Sequence, residues 1–136
     1  MPYLSNNKVL ELISRFAPVL LWMGVIYGFS SISTVPGAPI IWWDFVIKKT
    51  AHMVVFGVLF YLLVRADNWK SDKPRRFTIA LGLTLLYAIS DEVHQSFVPG
   101  RHARWYDVGF DMIGAWVVYW GYFKHHFFES FLAKKN

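Results

Sequence analysis

The run Asp91-Glu92-Val93-His94-Gln95-Ser96-Phe97-Val98-Pro99-Gly100-Arg101, followed by Arg104, Asp107 and Asp111, gathers most of the groups in this chain that can do chemistry. Carboxylates and an imidazole exchange protons, so Asp91, Glu92 and His94 are the acid/base candidates. A guanidinium matches the geometry of phosphate and carboxylate. Arg101 and Arg104, with Lys49 upstream, therefore suit the anionic part of a substrate. His52, Gln95, Asp107 and Asp111 complete the candidate binding set. His52, Asp91, His94 and Asp111 offer metal-ligating atoms, but no His-Glu-x-x-His spacing appears. The sequence names no cofactor.

The surroundings of these residues are apolar. Of 136 residues, 55% are hydrophobic and 19% aromatic, and the mean hydropathy is +0.33. A soluble domain of this size carries more charge. The chain is expected to be a single domain over residues 1–136. With no cysteine, disulfides and thiolate nucleophiles are excluded. The formal net charge of +5 sits between apolar runs, which points to membrane topology and anionic lipid rather than nucleic acid.

Four apolar runs predict an all-α integral membrane bundle of four transmembrane helices, over about 13–30, 45–65, 77–95 and 107–123. The third and fourth reach spanning length only by extending into the polar cluster. The first run is read as a retained helix, because no clean small-x-small cleavage site follows it. Within it, Gly24-x-x-x-Gly28 marks either a close helix contact or two ordinary membrane-helix glycines, and Pro18 either kinks it or sits in its first turn. Basic residues of the N-terminal tail (Lys8, Arg15), the second-to-third connection (Arg65, Lys70, Lys73, Arg75, Arg76) and the C-terminal tail (Lys124, Lys134, Lys135) outnumber Lys48, Lys49, Arg101 and Arg104. The positive-inside rule then places both termini in the cytoplasm. Trp42, Trp43, Trp105 and Tyr106 would form an outer aromatic belt, and Trp69, Tyr119, Trp120 and Tyr122 an inner one. Residues 124–136 either lie as an amphipathic segment on the inner leaflet or continue the fourth helix.

This topology brings separated polar groups to one level near the outer boundary. Lys48 and Lys49 precede His52 by one turn. Asp91, His94 and Gln95 share a helix face, while Glu92 points elsewhere. Val98-Pro99-Gly100 stops the third helix and turns the chain. Asp107 is either the N-cap of the fourth helix or part of the cluster, and Asp111 lies too deep to cap.

Asp91-Glu92-x-His94-Gln95-x-Phe97-x-Pro99-Gly100-Arg101, with Asp107, Gly114, Phe29-Ser30-Ser31 and Lys49-x-x-His52, resembles the VanZ-like family over nearly the whole chain. Where that family usually carries Asn, this chain has Asp111 and one more negative charge. The founding member is linked to low-level resistance to the glycopeptide teicoplanin. The resemblance therefore implies a multi-pass protein of the bacterial cytoplasmic membrane with an envelope role. Its expected partners are membrane lipids, a lipid-linked cell-wall precursor or a glycopeptide antibiotic, and no nucleic acid. Two functions compete. One is an enzyme or binding protein acting on an anionic lipid or lipid-linked substrate at an outward-facing pocket. The other is a non-enzymatic scaffold or interaction protein whose polar cluster is a structural ion-pair network. Oligomeric state is open in both.

Overall fold

The structure, a computed structural model, describes residues 6–33, 42–66 and 73–133. Trp69, Lys70, Lys134, Lys135 and most of the first connection lie outside the described residues, as do the side chains from His125 onward. Four helices follow one another: α1 (Asn6–Ser30), α2 (Trp42–Ala66), α3 (Lys73–Ser96) and α4 (Trp105–Ala133). All the described regular structure is helical, as the apolar runs require.

Each helix is longer than its apolar run. At 1.5 Å per residue, the 25-residue α1 and α2 are each about 37 Å long. A polar turn opens α1, where Arg15 pairs with Glu11 one turn earlier and the Ser14 hydroxyl donates to Glu11 O. The polar ends are solvated in a helix as readily as in a coil, so hydropathy alone marks the ends too early. At the other extreme, α4 remains one helix to Ala133, the continuation reading of the tail. Pro18 lies inside α1 rather than in its first turn.

The chain runs up and down. Trp22 Nε1 donates to Val55 O (2.9 Å), so α1 and α2 are antiparallel neighbours with aligned middles. Phe60 against Phe77, and Phe56 against Tyr87, set α2 and α3 antiparallel. Phe77 packs edge-on to Tyr119 and Tyr122 of α4. It follows that α2 and α4 run parallel, and their interface is the most extensive in the bundle. By contrast, among the described residues α1 packs on α2 and α3 rather than on α4. Tyr87 OH donates to Met23 O (2.6 Å) across the parallel α1–α3 pair.

One backbone contact fixes the α2–α4 interface. A Cβ at Gly114 would stand 1.9 Å from Met53 O, and one at Gly57 would meet Gly114 O at 3.1 Å. Only glycine at 114 lets the two backbones approach this closely. Gly24 and Gly28 would each meet nothing within 4 Å, so the GxxxG pair makes no close contact within this chain.

Apolar side chains form two layers. Val19, Ile26, Phe56, Leu59 and Ala88 fill one; Phe60, Val64, Phe77, Ala80 and Ala115 fill the other. The outer surface is also apolar, with Leu20, Leu21, Leu86, Trp116 and Trp120 exposed, whereas Lys49, Asp91, Glu92, Asp107 and Asp111 are buried. Charge inside and hydrocarbon outside reverse the soluble pattern. By length and composition, Lys8–Ser30 and Trp42–Ala66 are able to cross a membrane.

Gly114→Ala should lower the thermal midpoint of the detergent-purified protein, by the equivalent of about 1–3 kcal/mol or more for overpacking. Gly121→Ala, with nothing within 4 Å of the new Cβ, should be neutral or stabilising. Equal midpoints for the two variants would contradict the α2–α4 contact.

Candidate polar site at the α2 and α4 N-termini

The parallel α2–α4 pair and the parallel α1–α3 pair bring four helix ends together. The N-terminal turns of α2 and α4 meet the C-terminal turns of α1 and α3, and the polar residues lie there.

On the α2–α4 side, Lys49 Nζ donates to Asp107. Three rings surround the same ammonium: Tyr106 at 5.0 Å, Phe45 at 5.4 Å and Phe110 at 5.7 Å from their centroids. A cation so enclosed gains from the ring faces as well as from its counter-ion. One turn deeper, His52 Nδ1 and Asp111 Oδ1 are 3.0 Å apart. These two contacts sit at matching intervals because both helices advance in the same direction. Lys48 points away and pairs with Asp44 at 2.7 Å. Asp107 is the third residue of α4 and spends its carboxylate on Lys49 rather than on a cap.

On the α1–α3 side, the buried Ser30 hydroxyl donates to Asp91. Gln95 Nε2 lies 2.7 Å from Asp91 Oδ2 and 3.0 Å from Ser30 Oγ. His94 is on the same face but further out. Its Nε2 is 3.0 Å from Ser31 Oγ, and its ring centroid is 4.4 Å from that of Tyr27.

The turn after α3 places Arg101. Phe97 N and Val98 N close the helix on His94 O and Gln95 O, and Gly100 takes a positive φ of 77°, a region that favours glycine. Arg101 then folds back onto α1. Its Nη2 donates to Phe29 O (2.7 Å) and its Nε to Ile32 O (3.0 Å), with Nη1 3.4 Å from Gln95 Oε1. Phe29 O and Ile32 O lie at the end of α1, where carbonyls run short of i+4 partners; Phe29 O also accepts from Ile32 N (3.3 Å). Arg101 thus caps α1 with donors that the sequence reading assigns to a substrate anion.

Glu92 joins the two sides. It is 2% exposed, and Asp111 is 0% exposed. The Arg104 backbone N–H donates to Glu92 Oε2 (2.7 Å). Glu92 Oε1 and Asp111 Oδ2 are buried and accept no hydrogen bond. Leaving a buried acceptor unmade costs about 1–3 kcal/mol, and more for a charged group. His52, held through Nδ1 by Asp111, has the arrangement of an oriented imidazole. With the proton on Nδ1, the Nε2 lone pair is the basic atom.

The four candidate metal ligands divide between two places: His52 with Asp111, and Asp91 with Ser30. Among the described residues, no group of three His or carboxylate side chains is arranged to hold a metal ion. Ser30 is the partner that sequence reasoning left without a role. Its signal was the Phe29-Ser30-Ser31 stretch, too short to assign alone. Backbone partners such as Phe29 O and the Arg104 N–H carry no sequence signal.

The model of the VanZ/LLP1 family matches residues 6–129. No curated protein matches the chain, and no solved structure does.

Lys49→Met leaves the Asp107 carboxylate buried without its cation. This should cost about 3–5 kcal/mol of unfolding free energy. Adding Asp107→Leu should recover most of that loss. Losses that simply add in the double variant would contradict a direct pair.

Proposed function

Because the chain belongs to the VanZ/LLP1 family, we propose that it is a four-span protein of the bacterial cytoplasmic membrane that binds, at an outward-facing polar site, an outer-leaflet lipid or lipid-linked wall precursor. Lowered susceptibility to glycopeptides such as teicoplanin is the proposed consequence. Both termini lie in the cytoplasm in this reading. The exposed Trp42, Trp43, Trp105 and Tyr106 are at the polar end, where an interfacial belt belongs. Arg65, Arg75 and Arg76, which flank the second-to-third connection, are at the other end, where the positive-inside rule requires basic residues. All four helices have the length to cross, and α3 and α4 bury their acids against neighbours rather than presenting them to lipid.

The observation that carries the reading is the pair of buried, unpartnered oxygens, Glu92 Oε1 and Asp111 Oδ2. Buried polar atoms are as a rule paired, and the cluster's own ion pairs supply no partner to either oxygen. They ask for a hydrogen-bond donor from a ligand, while the oriented His52 supplies a base for a hydroxyl or water. Asp91, His94 and Gln95 hold α3 against α1, and Arg101 caps α1, so they position Glu92 in this reading. Lys49 and Asp107 set the depth of His52, and Arg104 is the cation left for an anionic headgroup.

The second reading, a structural ion-pair network in an interaction protein, rests on the pairing of Lys49 with Asp107 and His52 with Asp111.

Glu92→Gln, His94→Gln and Asp111→Asn, made singly in a host lacking the protein, separate the two. A ligand site predicts loss of the glycopeptide phenotype at unchanged membrane abundance for Glu92→Gln and Asp111→Asn. Parallel loss of abundance and phenotype would favour the network. For the orientation, a cysteine at Ser33 should label from outside and one at Ser71 from inside. The opposite pattern would overturn an outward-facing site.

A further inference from the structure

Between α3 and α4 the surface is cut by a groove of about 430 Å³, lined by Leu81, Gly82, Leu85, Gly109, Met112, Ile113 and Trp116. Every lining residue is apolar or glycine. Gly82 and Gly109 form its open floor, since a Cβ at either would meet nothing within 4 Å. These glycines hold space open, whereas Gly57 and Gly114 bring backbones together. On α4, the groove extends from Gly109 to Trp116, about 10 Å of helix.

The stripe of α3 that lines it continues upward to the polar site. On α3, Leu81, Leu85, Ala88 and Glu92 are spaced at four, three and four residues, one stripe facing α4. At the top of α4, Trp105 and Tyr106 precede Gly109 by about one turn, and Arg104 immediately precedes the helix. Arg104 donates its backbone N–H to Glu92. Its guanidinium touches the Tyr106 hydroxyl and lies 5.7 Å over that ring, and it pairs with no carboxylate among the described residues. An apolar slot below Glu92 on the α3 stripe, with the Arg104 guanidinium five positions before Gly109, is complementary to a hydrocarbon chain bearing an anionic head.

We propose that the α3–α4 groove seats one acyl chain of an anionic phospholipid, with its phosphate on Arg104 and its glycerol hydroxyl or ester region beside Glu92. This rests on the reading of the polar end as an outward-facing lipid site, and it names the ligand class. The chain supplies the binding energy, because each buried methylene contributes. Arg104 supplies the preference for an anionic head.

The test uses the full-length protein in phosphatidylcholine nanodiscs containing phosphatidylglycerol, with retained lipid counted by native mass spectrometry after release. Gly82→Leu and Gly109→Leu place a side chain in the groove from a Cβ that meets nothing within 4 Å, and they raise helix propensity. Gly24→Leu, equally uncrowded but on α1, is the control. The wild type and Gly24→Leu should keep one phosphatidylglycerol. Both groove variants should weaken its retention at least about tenfold, the effect of displacing two methylenes or so. Trp116→Ala, which removes a groove wall, should act in the same direction. Arg104→Gln should keep a lipid but lose the preference for phosphatidylglycerol over phosphatidylcholine. Wild-type retention in both groove variants, or equal loss in Gly24→Leu, would overturn the proposal. Glycopeptide susceptibility of Glu92→Gln, set beside lipid retention in the groove variants, keeps the two readings apart. If Glu92→Gln retains the phenotype while groove variants lose lipid, the proposed function fails and the groove stands. If Glu92→Gln loses the phenotype while groove variants retain lipid, the reverse holds.

Discussion

The backbone contact between Met53 and Gly114 is the constraint on which the polar site depends. It sets the distance between two parallel helices, and that distance sets the reach of side chains above it. Lys49 meets Asp107 and His52 meets Asp111 because the α2 and α4 backbones are already in contact at Met53 and Gly114, directly beneath the His52–Asp111 pair. A side chain at 114 would push them apart and strand both pairs. Parallel helices also keep both contacts in step, because each turn of α2 meets the corresponding turn of α4. The cost of holding ions inside an apolar bundle is thus met by geometry that no single ion pair creates.

The sequence carried the element count, the direction of the chain and the level at which the polar residues meet. Those features follow from long apolar runs and from charge at known intervals, which are local properties. Helix ends were legible only to within several residues, since polar turns extend α1 backwards and α4 forwards. Glycine roles were not legible. Gly24 and Gly28 have the spacing associated with close contact and make none here, whereas the tight approach uses one glycine on each of two helices. No local pattern distinguishes those cases. The division of labour inside the cluster was also hidden. Arg101 has the chemistry of an anion binder, yet its donors go to carbonyls at the end of α1, and carbonyls look alike in every sequence.

That division changes the chemical character of the site. Two cations of the cluster are occupied, the buried Lys49 by an acid and three rings and the half-buried Arg101 by a helix terminus. The open valences belong to acceptors, Glu92 Oε1 and Asp111 Oδ2. A cluster that reads as an anion trap in sequence is, in three dimensions, a place for a hydroxyl, an amine or another donor, with Arg104 as the outlying cation. The carboxylate of Asp111, where the VanZ-like pattern usually has an amide, provides both the partner of His52 and one of these open oxygens. An amide there would orient the imidazole more weakly and add a donor of its own.

The most direct test of a donor-seeking site is a density map of the protein in native membrane lipid, at a resolution that shows ordered small molecules. The account predicts ordered non-protein density within hydrogen-bond distance of Glu92 Oε1 and Asp111 Oδ2. Both oxygens paired to side chains of the same chain, with no density between them, would contradict it.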